Sequence, residues 1–186
     1  MFEVVTAAYF HVPQIAFYGL GLNNSVILNA IGFGAPDKSL TGTAAVYQNL
    51  WNTAVGNLII IVAGLVPGYW ATFLFVDSWG RKPIQLMGFI ALTILFCVLG
   101  FGYDKLTATP AAVKGFTFLY CLTNFFQNFG PNTTTFIIPG EAFPTRYRST
   151  SHGISAASGK LGAIVAQVGF SQLVNRGGTN KFVKHL

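Results

Sequence analysis

The sequence predicts an all-α membrane protein with about five transmembrane helices, and two observations predict it. The chain is apolar over 52% of its 186 residues and charged over only 9%, with a mean hydropathy of +0.54. A soluble domain carries about 25% charged residues because its surface must face water. The few charges are also unevenly spread, and the gaps between them reach the roughly 20 apolar residues that a bilayer-crossing helix needs. Disorder, nucleic-acid binding and a soluble enzyme all fit this composition poorly. The net charge of +6 comes from eleven Lys and Arg without a dense cluster, whereas phosphate-backbone binding needs clustered cations.

Each helix follows from one gap. The first, Val4–Leu28, lies between Glu3 and Asp37, and the second, Asn52–Val76, between Lys38 and Asp77. The third, Pro83–Tyr103, runs from Lys82 to Asp104, and the fourth, Gly115–Ile138, from Lys114 to Glu141. The fifth, Gly153–Val174, lies between Arg148 and Arg176 with only Lys160 inside it. The expected connections are Asn29–Asn49, Asp77–Lys82, Asp104–Lys114 and Pro139–His152, and residues 175–186 form a polar, basic tail. No signal peptide is expected, since no basic n-region with a short apolar segment and cleavage site opens the chain. Cys97 and Cys121 both sit in apolar runs and read as small buried hydrophobes, not as a disulfide or metal site.

Several spans carry residues that lipid alone does not explain. Val66-Pro67-Gly68 and Phe129-Gly130-Pro131 interrupt two helices, which is tolerated where neighbours or a cavity satisfy the freed backbone groups. Ser155, Gly159, Gly162 and Ala166 recur at the spacing that lets another helix approach closely. Asn124, Asn128, Asn132 and Thr135 step by four, four and three, so they share one helical face. Amides in a bilayer are costly unless they meet partners or water, so each contacts either a substrate or a neighbouring helix. Asn23-Asn24-Ser25 and Asn132-Thr133-Thr134 fit the glycosylation pattern, but their placement at or inside the membrane discounts both. Lys160 lies about two turns, roughly 10 Å, beyond Gly153, where a cation either pairs with an anion in a cavity or snorkels to the interface. His11 reads as a packing residue. No cofactor or metal is expected, and a membrane enzyme fits least, because no carboxylate pair, Ser–His arrangement or metal cluster falls in the spans.

The connections carry their own pattern. In Asp77–Lys82, Gly80 permits a tight turn while Arg81 and Lys82 sit at the membrane surface, and Glu141 and Arg146 lie in the matching connection on the same side. Two such connections can form ion pairs that hold one side shut and break when it opens; the plainer reading is ordinary interfacial charge.

Asp77-Ser78-Trp79-Gly80-Arg81-Lys82-Pro83 resembles the D-x-x-G-R-K/R loop of the major facilitator superfamily, and Pro139-Gly140-Glu141-Ala142-Phe143-Pro144-Thr145-Arg146 resembles the loop between helices ten and eleven of its sugar-porter-like members. The run Phe125–Phe136, with Gly153-Ile154-Ser155-Ala156-Ala157-Ser158-Gly159-Lys160, is similar to the fungal and plant phosphate:proton symporters. The similarity starts near Ile15 and implies helices 7–11 of a twelve-helix fold, one short of a six-helix half, so a fragment is expected.

The resemblance implies a proton-coupled carrier of inorganic phosphate in a fungal plasma membrane, working by alternating access with an N-terminal six-helix half as partner. It implies a phosphate contact at Tyr18 and a role in coupling and phosphate transport at Lys160, and Asn128 and Asn132 are the expected further contacts because phosphate needs neutral donors that do not hold it permanently. Asp77, Gly80, Arg81, Lys82, Glu141 and Arg146 are implied as cytoplasmic gate residues, which runs against the usual positive-inside bias. The first span departs from the pattern, with Gln14 where an aspartate that couples protons is expected and Phe10 where tryptophan is expected. Met1–Gln14 is therefore read as a misplaced start or unrelated upstream sequence. Two alternatives stay open: a carrier of a hexose or glycerophosphodiester, and a membrane scaffold that does not transport.

Overall fold

The computed structural model describes residues 42–106 and 108–174, together with Gly21, Asn24, Ile27 and Leu28. The expectations for Gln14, Tyr18, nearly all of the first span and the tail lie outside the described residues. The described part is helical throughout, with no strand.

Helix α1 (Thr43–Ile60) starts after Gly42, continues through a wide π-helical turn at Ile61–Leu65, and becomes α2 (Val66–Trp79). The π turn sits just before Pro67. A proline inside a helix lacks its N–H and presses on the carbonyl four residues back, and a widened turn absorbs both effects. The result is a 37-residue rod from Thr43 to Trp79. It stops at Gly80, whose φ of 86° is in the region that favours glycine.

Helix α3 (Arg81–Leu106) begins at the very next residue. Helix α4 (Pro110–Gln127) is capped by Thr109, whose hydroxyl accepts from Ala112 N–H at 3.3 Å, with Pro110 in the first turn. Asn128–Asn132 breaks the helix, with Phe129 and Gly130 off helical geometry, and α5 (Thr133–Ala142) resumes it. Phe143 is extended before Pro144, as the residue before proline prefers, and α6 (Arg148–Val174) follows.

The connections are shorter than the charges imply. Only Gly80 breaks the helix between Asp77 and Lys82, residues 43–49 are helical and not loop, and the Pro139–His152 connection shrinks to residues 143–147. The reason is physical: charge marks where a helix leaves lipid, while the helix ends where backbone geometry forces it to. Thr43–Trp79 and Arg81–Tyr103 are each long and apolar enough to cross a membrane.

Helix α4 is central. Ile60, Leu99, Tyr103, Phe116, Tyr120 and Cys121 form a core with Ile27 and Leu28 at one end, and Phe116 stacks on Tyr120 and meets Tyr103 edge-on. At the other end Phe129 packs against Phe75, Trp79 and Phe125. Large apolar side chains such as Phe73, Phe101, Phe118 and Ile164 face outward, which suits a hydrocarbon surround. Cys97 is exposed and not buried as expected, because it sits on this outer side of α3; Cys121 is in the core. The small-residue stripe Ser155, Gly159, Gly162 and Ala166 is buried along α6.

Candidate functional site

Glycines set how closely the helices carrying the site approach. A Cβ on Gly68 would lie 2.6 Å from the Phe125 carbonyl and 2.9 Å from Asn128 Cβ, and one on Gly64 would lie 2.7 Å from the Cys121 carbonyl. The pair forms a G-x-x-x-G seam against α4. On the other side, a Cβ on Gly88 would lie 2.6 Å from Pro131 Cδ and 2.8 Å from Gly130 Cα. The interruption at Asn128–Asn132 is thus clamped between α2 and α3.

Hydroxyls satisfy the backbone that the interruption frees. Thr72 and Thr133 both donate to the Asn128 carbonyl, at 2.9 and 2.7 Å. Thr134 donates to the Gly130 carbonyl at 2.9 Å, and Thr135 to the Pro131 carbonyl at 2.7 Å. A broken helix at membrane depth needs such substitutes, since no water or lipid group supplies them. Thr135 therefore spends its hydroxyl on its own backbone.

Along the same face runs a ladder of amides. Tyr120 OH donates to Asn24 Oδ1. Asn124 Nδ2 donates to the Tyr120 carbonyl and Asn128 Nδ2 to the Asn124 carbonyl, each at 2.9 Å. Asn132 Nδ2 donates to Asn128 Oδ1 at 2.6 Å and to Tyr69 OH at 2.8 Å. Asn128 is fully buried and Asn132 nearly so. The structure thus brings Asn128 and Asn132 together, four residues apart, in spite of the break between them.

Asp77, Arg81 and Glu141 meet at one end of the helices. Arg81 Nη2 donates to Glu141 Oε1 at 2.7 Å, tying the start of α3 to the end of α5. Arg81 Nη1 lies 3.2 Å from Asp77 Oδ1 across the Gly80 break. These groups are partly to largely exposed, so solvent screens both pairs and each stabilises only weakly. Arg146 instead lies over the Tyr147 ring, 5.5 Å from its centroid, and Lys82 is exposed. Lys160 is exposed beside the buried stripe of α6. Among the described residues no ion pair holds Lys160, and none joins Arg146 to the Arg81 cluster. No three His, Cys, Asp or Glu among the described residues converge on a possible metal site.

Sequence reasoning passed over Tyr69, Thr72 and the glycine seam. The G-x-x-x-G spacing of Gly64 and Gly68 was a usable signal for the seam. Nothing marked Tyr69, whose partner is 63 positions away.

Residues 39–184 match the sugar (and other) transporter family. The chain is 57% identical over 170 residues to an inorganic phosphate transporter of Saccharomyces cerevisiae, covering 91% of this chain and 27% of that protein. It is 58% identical over 164 residues to the repressible high-affinity phosphate permease of Neurospora crassa, covering 88% and 27%. An inorganic phosphate transporter of Oryza sativa is 44% identical over 170 residues, covering 91% and 31%. The chain spans about a quarter to a third of the length of these curated relatives. These relatives are transporters, and the match carries membrane placement with it. This chain is a membrane protein belonging to the sugar (and other) transporter family of the major facilitator superfamily.

Proposed function

We propose that the chain is a piece of the C-terminal half of a proton-coupled inorganic phosphate transporter of a plasma membrane. The observation that carries this reading is 57–58% identity over about nine-tenths of the chain to two fungal phosphate carriers. The mechanism follows from that reading. Asn128 and Asn132 at the helix break are neutral amides that meet the oxyanion by exchanging their present hydrogen bonds for it. Tyr18 and Lys160 complete the contacts to phosphate, and the N-terminal half supplies the facing wall. The Arg81–Glu141 pair, flanked by Asp77, Gly80, Lys82 and Arg146, holds the cytoplasmic side closed. It is weak enough to break when the halves rock about the site. No bond in the substrate is made or broken, so the action is carriage and not catalysis. Gln14 cannot exchange a proton, so proton coupling falls to carboxylates of the other half.

The test is a chimera in which residues 39–184 replace the matching segment of the Saccharomyces cerevisiae relative. Cells lacking their own phosphate carriers should take up labelled phosphate through it. Unlabelled phosphate should compete and a hexose should not. Competition by hexose would move the chain to the sugar carriers, and uptake no higher than in empty cells would sink the transport reading.

A further inference from the structure

Three polar atoms in the first turns of α3 are sealed from solvent and meet no hydrogen-bonding partner among the described residues: Arg81 Nε and both amide atoms of Gln85, Oε1 and Nε2. Gln85 is 1% exposed, so bulk water does not reach it. A buried polar group without a partner is costly, and such groups are rare enough in folded proteins that each calls for a cause.

Their placement supplies one. Arg81 and Gln85 are four residues apart and share one face of α3. A long helical side chain leans back over the preceding turn, which sets the Gln85 amide over the turn that Arg81 occupies. In the other direction along α3, a Cβ on Gly130 would lie 2.8 Å from Gly88 Cα and 3.5 Å from the Ile84 carbonyl. Gln85 thus stands between the Arg81–Glu141 contact and the clamped helix break. The hydroxyls of Thr134 and Thr135, at the start of α5, donate to the Gly130 and Pro131 carbonyls and leave no O–H for Gln85 Oε1.

The two residues are chemically complementary. Arg81 Nε–H can only donate, and Gln85 Oε1 can only accept. The far end of the guanidinium is held elsewhere. Its Nη2 donates to Glu141 at 2.7 Å, while Nη1 lies 3.2 Å from Asp77 Oδ1 and 3.4 Å from the Val76 carbonyl. These contacts draw the group toward α5 and the end of α2, and away from Gln85.

We propose that Gln85 is a positioning residue of the gate, the acceptor that takes Arg81 Nε–H when Glu141 lets the guanidinium go. This rests on the phosphate-transport reading and its Arg81–Glu141 gate. The closed arrangement leaves two complementary groups bare and the open one joins them, so the same amide raises the free energy of the first and lowers that of the second. The outer nitrogens of Arg81, whose side chain is 32% exposed, turn to water as the pair parts.

The test uses the same chimera with Ser78→Cys and reads its labelling rate from the cytoplasmic side, together with thermal unfolding in detergent. Gln85→Met keeps nearly the same shape and removes both bare atoms. It should slow labelling about fivefold, the order set by one hydrogen bond, while the unfolding temperature holds or rises. Arg81→Lys keeps the charge on Glu141 but has no N–H at the Nε position, so in that background Gln85→Met should change labelling less than about twofold. Gln85→Leu takes its place if Gln85→Met does not reach the membrane. Unchanged or faster labelling with Gln85→Met, or a fall in unfolding temperature, would show an amide that only knits the helices together and overturns the proposal. An undiminished effect in the Arg81→Lys background overturns it as well. An unsubstituted chimera that takes up no phosphate overturns the transport reading instead, and the labelling comparison still decides whether Gln85 acts through Arg81.

Discussion

At the scale of single residues, glycines with the same conformation differ sharply in what surrounds them. Ala normally stabilises a helix over Gly by about 0.5–1 kcal/mol. At Gly115, where an added Cβ meets nothing within 4 Å, Gly115→Ala should therefore stabilise the protein by about that amount. At Gly68 the same methyl lands 2.6 Å from the Phe125 carbonyl, so α2 and α4 must part and move Asn128. Gly68→Ala should destabilise by about 1–3 kcal/mol. Thermal unfolding of both variants in detergent checks the pair, and matching signs would show that the seam does not set the helix spacing. Legibility at this scale was uneven. Asn128 and Asn132 could be read because a polar amide in an apolar run is conspicuous at once. Tyr69 could not, because a tyrosine among Trp70 and Phe73 looks like any interfacial aromatic. Its partner is fixed only by how α2 packs on the break.

At the scale of elements, charge position and Pro/Gly content located the helices and their interruptions but not their ends. Thr135 illustrates the gap. It reads as a polar residue on one face with Asn124, Asn128 and Asn132, and its hydroxyl instead bonds to the Pro131 carbonyl. The Arg81–Glu141 contact was legible as two matching connections, because complementary charges on one side of a membrane have few other partners. Its effect can be measured. Glu141→Gln keeps the shape and an acceptor but removes the charge, so it should weaken the link and shift the closed-to-open ratio modestly toward open. A cysteine placed at Ser78 in the chimera should then label faster from the cytoplasmic side. An unchanged labelling rate would count against a gating role for the pair.

At the scale of the whole molecule, sixteen charges on 186 residues were enough to exclude a soluble domain, and the loop motifs were enough to suggest the superfamily. The order in which the helices pack was not legible, because one apolar face looks like another until glycines decide which pairs approach. Tyr18, Lys160 and the Asn128–Asn132 ladder belong to one wall of a site whose opposite wall this chain does not supply under the proposed reading. Vesicles holding only these 186 residues should therefore take up labelled phosphate no faster than empty vesicles. Faster uptake would show that the chain forms a complete path.

The single glycine between α2 and α3 has a genetic consequence. A rod ending at Trp79 and another starting at Arg81 leave no slack between them. One inserted codon at Gly80 would turn α3 by about 100° relative to α2 if it were added as helix. Gly88 would swing away from Gly130, and Arg81 from Glu141. Such an insertion should abolish accumulation of the protein, while the same insertion at Ala108, in the connection before α4, should be tolerated. Reading-frame-preserving insertions scored for protein level would reveal this junction as a place where length, more than residue identity, is under selection.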